Sequence, residues 1–248
     1  MTGFIIRMAV LVLLIAFIVN PEAFAWAFQP LAKSGQPPIY LQNSLAALTL
    51  NHLSIVLVAT IASTIVAVGL AILVTRPAGA EFLPLSRSLA NIGQTFPPVA
   101  VLAIAVPILG FGTPPTLVAL FLYGLLPIFE NALAGLTTLP PAVTEAARGM
   151  GMTGRQRLLS VELPLALPVM LAGIRLSAVI ALSTATIGST VAASTLGEVI
   201  IAGLLSNNVA YILQGGLVVG VLAVLIYDGI AGIERMMMQR TGQGRRAS

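Results

Sequence analysis

Leu53-Ser54-Ile55-Val56-Leu57-Val58-Ala59-Thr60-Ile61-Ala62-Ser63-Thr64-Ile65-Val66-Ala67-Val68-Gly69-Leu70-Ala71-Ile72-Leu73-Val74 is a run of 22 residues with no charge and no proline. As an α-helix it would be about 33 Å long, enough to cross the ~30 Å hydrocarbon core of a bilayer. A buried strand is several times shorter, so the length decides for a helix. The composition of the whole chain agrees. Of 248 residues, 58% are hydrophobic and only 8% charged, against roughly a quarter charged in soluble domains. Twelve Lys+Arg and eight Asp+Glu cannot coat a water-soluble fold of this size. The solvent for most of the surface is lipid, and the fold class is an all-α polytopic bundle.

Working outward from 53–74, five further apolar runs stand between charges or Pro/Gly breaks, giving about six transmembrane helices. The others are expected at Phe4–Asn20, Pro97–Leu109 (extendable back through Ile92), Thr116–Leu136, Leu167–Ala192 and Ile212–Ile233. Prolines 97, 98, 107, 114, 115 and 127 are expected to break the third and fourth helices, and such breaks survive in lipid only where backbone is buried or lines a cavity. Arg7, Arg76, Arg87, Arg148, Arg155, Arg157, Arg235, Arg240, Arg245 and Arg246 all fall in alternate segments, while the other set carries only Lys33. By the positive-inside rule both termini are cytoplasmic. Arg7, the first apolar run and Ala23-Phe24-Ala25 also resemble a secretory signal. We expect a retained helix, with residues 21–50, including Trp26 and Tyr40, outside and partly at the interface.

Several classes of chemistry are excluded. There is no Cys and a single His, His52, which we expect as a polar cap at the outer end of the second helix. Multi-histidine and thiolate metal sites are therefore ruled out. A P-loop needs G-x-x-x-x-G-K-[ST], and the only Lys, Lys33, follows Ala32. No G-x-S-G turn accompanies His52, and Tyr227-Asp228 lacks the G-x-G-D half of an aspartyl intramembrane protease. The net charge of +4 comes from Arg in loops, with no basic face for nucleic acid.

The stretch between the fourth and fifth helices is too long for a turn. Pro140-Pro141 should stop one helix and start another, Thr144-Glu145-Ala146-Ala147 forms helix with an acid toward its positive N-terminal end, and glycines 149, 151 and 154 end it. The result is a cytoplasmic helix of two or three turns, with Met150 and Met152 as soft apolar knobs for a partner's groove. From the residues alone a merely structural loop is as good a reading. Pro164 and Pro168 are expected to set the start of the fifth helix.

Glu145, Ala146, Ala147, Gly151, Val161, Leu163 and Pro164 follow the spacing E-A-A-x3-G-x9-I-x-L-P, with Val161 for Ile. This resembles the EAA loop of permease subunits of ATP-binding-cassette (ABC) importers. Over roughly 45–235 the likeness narrows. Asn91–Pro98, Pro107–Gly112, Ala119–Ile128, Gly149–Thr153 and Leu163–Pro168 look like the Opu-type permeases of osmoprotectant import. Two departures stand out: Val191–Gly197 replaces a Gly-rich turn, and Glu130 stands where a basic residue is expected.

The resemblance implies a type I ABC importer permease fold in a bacterial inner membrane, divided into a first helix and linker (1–44), a permease core (45–235) with a coupling loop (139–165), and a tail (236–248). It implies that Glu145, Ala146, Ala147, Gly149, Met150, Gly151, Met152, Leu163 and Pro164 couple to ATPase subunits that hold ATP and Mg, with no cofactor in this chain. It further implies a second permease subunit, identical or related, an extracytoplasmic binding protein, and a glycine betaine, choline or carnitine type of substrate. The translocation path is expected along Phe96, Pro97, Pro98, Phe111, Phe121 and Tyr123, whose rings suit a quaternary cation. Glu130, Arg175 and Asp228 lie near helix ends and are expected to pair with one another or snorkel. An ion-coupled carrier using Glu130 or Asp228 is the competing class. Gly216 and Gly220 permit close helix packing within this subunit or between subunits.

Overall fold

The computed structural model describes residues 2–240, so Arg245 and Arg246 of the expected tail lie outside the described residues. Every regular element within them is helical: α1 (Thr2–Val19), α2 (Ala25–Phe28), α3 (Leu45–Val74), α4 (Leu83–Thr95), α5 (Pro98–Leu109), α6 (Thr113–Thr137), α7 (Pro141–Gly149), α8 (Gly154–Arg157), α9 (Leu163–Ala185), α10 (Gly197–Ser206) and α11 (Val209–Arg240), with short 3-10 and π stretches between them. Four helical segments are long and apolar enough to span a membrane, or up to six if two bent pairs each count as one.

Several expected boundaries move. The second span starts at Leu45, eight residues early, because Ser44 caps it: its Oγ accepts from the Ala47 amide at 3.4 Å. His52 is thereby inside a helix and fully buried, which corrects its reading as an outer cap. Its Nε2 lies 3.1 Å from the Leu182 carbonyl, and its Nδ1 accepts from the Leu196 amide at 3.4 Å, so a neutral ring tautomer satisfies both nitrogens. The third span is two helices, α4 and α5, separated at Phe96-Pro97, where extended Pro97 (φ −59°, ψ 142°) precedes Pro98. The fourth is not broken: Pro127 sits inside continuous α6. Nor do Pro164 and Pro168 begin the fifth, since helix runs from Gly154 through a π stretch, Leu158–Glu162, into α9.

The chain divides into two compact units. The first comprises Met1–Ala59, Phe96–Leu120 and Val179–Ile226. Here Phe17 stacks on Phe28 (centroids 5.4 Å) and meets Phe24 edge-on (5.3 Å), which holds α1 to the chain that turns back after it. Trp26 is 77% exposed, as an interfacial residue would be, but Tyr40 is only 3% exposed and belongs to the core. Val191–Gly197, where the resemblance expects a Gly-rich turn, turns instead through Ala192 in the left-handed region (φ 64°).

The second unit comprises Thr60–Thr95, Phe121–Ala178 and Tyr227–Ser248, with a core built on Ala67, Ala71, Ala90, Ile128, Phe129, Ala132 and Ala166. Small residues bring backbones close, as lipid-embedded helix packing requires. At Gly93 an added Cβ would lie 2.1 Å from the Leu122 carbonyl oxygen. The neighbouring Gln94 Nε2 donates to the Tyr123 carbonyl at 3.1 Å. That carbonyl is the one whose helical partner Pro127, four residues on, cannot supply. Gln94 thus replaces the missing donor and allows proline inside α6. Gly216 and Gly220 are exposed, with no atom near their would-be Cβ positions, so they do not serve packing within this chain.

Gly93→Ala should destabilise the purified protein by about 1–3 kcal/mol, because its Cβ meets backbone that cannot swing aside, whereas Gly216→Ala should be tolerated. Thermal unfolding in detergent, read by loss of the monodisperse peak, checks both; equal stability of the two variants would contradict the close α4–α6 approach.

Candidate coupling loop and translocation segments

The loop between α6 and α9 is built from its turns. Pro140 (φ −58°, ψ 128°) precedes α7 and Pro141 takes its first position, where a missing N–H costs nothing. Nine residues make a helix of about 13 Å. Glu145 is its fifth residue, and no acid occupies the first turn, so the expected favourable contact with the N-terminal dipole is not made. The end of α7 is a Schellman cap: the Met152 amide donates to the Ala147 carbonyl (3.2 Å) and the Gly151 amide to the Arg148 carbonyl (2.9 Å), with Gly151 at φ +74°. The glycine six residues after the glutamate is therefore the left-handed cap residue. Gly154 does not end α7 but opens α8, where Thr153 and Gln156 form a reciprocal capping box.

Exposure divides the loop. Ala147 is buried against its own chain, Glu145, Ala146, Gly149 and Gly151 are exposed, Met152 is half-buried, and Met150 is 74% exposed. Leu163 is half-buried against the core of Ala166 and Met170, and Pro164 is exposed.

One carboxylate anchors the loop, and sequence reasoning did not single it out. Glu162, with its side chain 7% exposed, accepts from Arg76 Nη2 at 2.6 Å through Oε2 and from Arg157 Nε at 2.7 Å through Oε1. Arg76 follows α3, and Arg157 ends α8, so the clamp ties the loop to the end of α3. Arg76 Nε is buried without a further partner. The Arg157–Glu162 pair could have been found from its five-residue separation, which brackets the π turn; nothing local marks Arg76.

For Glu130 and Arg175 the structure gives other partners than the pairing expected among Glu130, Arg175 and Asp228. Glu130 takes a two-pronged ion pair from Arg87 (2.7 and 3.2 Å), a geometry typical of Arg–carboxylate recognition. Arg175 pairs with Glu234 at 2.7 Å and lies over the Tyr227 ring, 4.6 Å from its centroid. Of the expected path residues, Phe96, Pro97, Pro98 and Phe111 belong to the first unit, with Phe96 and Phe111 exposed, and Phe121 and Tyr123 to the second, both half-buried. Among the described residues no group of acids and His could hold a metal.

Residues 67–233 match the family of binding-protein-dependent transport system inner membrane components, and the chain belongs to that family. It is 39% identical over 191 residues, 77% of this chain and 81% of the relative, to the osmoprotectant import permease protein OsmY of Salmonella typhimurium. It is 38% identical over 197 residues, 78% of this chain and 88% of the relative, to the glycine betaine/carnitine/choline transport system permease protein OpuCB of Bacillus subtilis. The fold is that of the inward-facing MetNI methionine ABC transporter, with a TM-score of 0.70 at 22% identity over 78% of this chain and 95% of that one. The protein is an ABC importer permease subunit of the inner membrane.

Removing one member of the Glu162 clamp leaves the others uncompensated. Glu162→Ala should cost about 3–5 kcal/mol, visible as a lowered unfolding temperature. Combining it with Arg157→Met and Arg76→Met should recover much of the loss, and no recovery would show that Glu162 acts otherwise than by pairing.

Proposed function

We propose that the chain forms the membrane path for a small quaternary ammonium osmolyte of the glycine betaine, choline or carnitine type. The observation that carries this reading is the 38–39% identity, over more than three quarters of the chain, to permeases bearing those substrate names. Two permease subunits, identical or related, pair with two ATPase subunits and receive substrate from an extracytoplasmic binding protein. ATP and Mg bind on the ATPase, and this chain performs no chemistry on its cargo. The exposed residues of α7 and its cap, Glu145, Ala146, Gly149, Met150 and Gly151, enter a cleft on the ATPase, while Ala147, Met152, Leu163 and Pro164 join that helix to the span behind it. Closure of the ATPases on ATP moves α7, and the clamp at Glu162 carries the displacement to α3 as well as α9. The helices then alternate between inward and outward openings, with Phe96, Pro97, Pro98 and Phe111 of the broken third span, and Phe121 and Tyr123 of continuous α6, as the path residues.

The Arg-bearing loops support cytoplasmic termini and a cytoplasmic α7. Because the chain has no Cys, single cysteines report on sidedness without background. Leu205→Cys should react with an impermeant maleimide on spheroplasts, and Met150→Cys only after lysis; the reverse would invert the topology.

ATP hydrolysis by the complete complex in lipid, with its binding protein, tests the function. Glycine betaine, choline or carnitine should stimulate it severalfold. Gly151→Leu forces a side chain into the left-handed region at a cost of about 1–2 kcal/mol and should leave the protein inserted while abolishing most of that stimulation. Hydrolysis indifferent to all three compounds would discard the substrate class, and normal stimulation in Gly151→Leu would discard the coupling role.

A further inference from the structure

The first unit contains a cavity of about 590 Å³ between the linker before α3, α10 and the start of α11, within the usual ~300–1,000 Å³ range of small-molecule sites. Tyr40 and Tyr211 line it and meet edge to face, ring centroids 5.4 Å apart. The only charged residue in its wall is Glu198, half-buried. The Tyr40 hydroxyl donates to Glu198 Oε1 at 2.7 Å, and the Asn43 amide donates to the same oxygen. Burial, then that bond to the carboxylate, pushes the Tyr40 phenol far up, so it remains a donor. Among the described residues no cation pairs with Glu198, in contrast to Glu130, Glu162 and Glu234.

Hydrogen-bond accounting narrows what this carboxylate is for. Gln36 Nε2 donates to the Ser206 carbonyl at 2.9 Å, which fixes the orientation of its amide and leaves Oε1 buried with no donor. Among the described residues Glu198 Oε2 has no protein donor, and the wall also carries the polar side chains of Gln42, Ser189 and Ser206. A quaternary ammonium spreads its charge over methyl groups that suit Ile201, Leu205 and the tyrosine rings. The amides and hydroxyls of the wall can then meet a ligand hydroxyl. A ligand carboxylate would instead face the unneutralised Glu198.

We propose that this cavity is a cation site of the permease itself, taking a quaternary ammonium alcohol of the choline type in preference to the zwitterionic betaine. The choice of a methylated cation rests on the substrate class proposed above; the site and its preference for net positive charge do not.

The test is equilibrium binding of radiolabelled choline to the permease–ATPase complex in lipid, without binding protein. We expect saturable binding, displaced by tetramethylammonium and at least about tenfold less well by glycine betaine. Glu198→Gln, which keeps an acceptor for Tyr40, should weaken choline binding by about tenfold or more. Tyr211→Phe should retain it and Tyr211→Leu should not; this pair decides the matter if Glu198→Gln does not assemble with the ATPase. Absence of saturable binding, or wild-type affinity in both Glu198→Gln and Tyr211→Leu, overturns the site. So does a Glu198→Gln effect confined to stimulation by the binding protein, which would make Glu198 a docking contact. Choline-stimulated hydrolysis with binding protein but no binding without it removes the site and leaves the substrate class standing. Choline binding with no osmolyte-stimulated hydrolysis does the opposite.

Discussion

In lipid, a backbone carbonyl or amide that loses its helical partner has no water to turn to, and this constraint shapes the molecule more than any single contact. Where α6 carries Pro127, Gln94 from α4 supplies the donor for Tyr123, and Asn131 Nδ2 occupies the Pro127 carbonyl at 2.8 Å. Within the same unit, Ser63 Oγ donates to the Phe121 carbonyl at 2.9 Å. Gly93 lies against Leu122 and Tyr123 because only a residue without Cβ lets Gln94 reach. The Asn-Ile-Gly-Gln stretch at 91–94 is thus, in part, repair chemistry for a proline 33 residues later.

The same solvent makes unpaired charge expensive, and the described ion pairs follow from that. Glu162 with two arginines and Arg175 between Glu234 and the Tyr227 ring are buried or half-buried and mutually neutralised. Glu198 is held only by neutral donors in a cavity wall. Such a carboxylate can take a cation supplied from outside the chain, as proposed above. In the two proposals above, coupling and cargo recognition draw on opposite treatments of one residue type: a glutamate saturated by arginine transmits force, and one left unneutralised takes a ligand.

Much of this could be read from the amino-acid sequence, and what could not has physical reasons. Apolar runs locate the spans because lipid tolerates little else, and the tandem proline and Gly151 locate α7 because first-position proline and left-handed glycine are local requirements. Helix starts were less legible. Asn51-His52 looks like a polar end, yet His52 is buried seven residues inside α3, its two nitrogens satisfied by carbonyl and amide from distant segments. Ala192 adopts a positive φ with no glycine to announce it. The partners of Glu130 and Arg175 were misassigned for the same reason that Arg76 was missed: charge pairs across helices depend on rotation and register, which periodicity in an all-apolar helix does not encode.

These pairings also bear on what drives transport. An ion-coupled carrier needs membrane carboxylates that can take and release protons during the cycle. Glu130, one of the two acids the amino-acid sequence offers for such work, is held by two nitrogens of the Arg87 guanidinium. Arg175, inside a span, is offset by Glu234 and the Tyr227 ring. In the coupling proposed above, the work of transport falls instead to a displacement imposed from outside. The chain offers a place to apply it: a short capped helix that projects Met150, is anchored through Ala147, and is tied by Glu162 to two of the spans behind it.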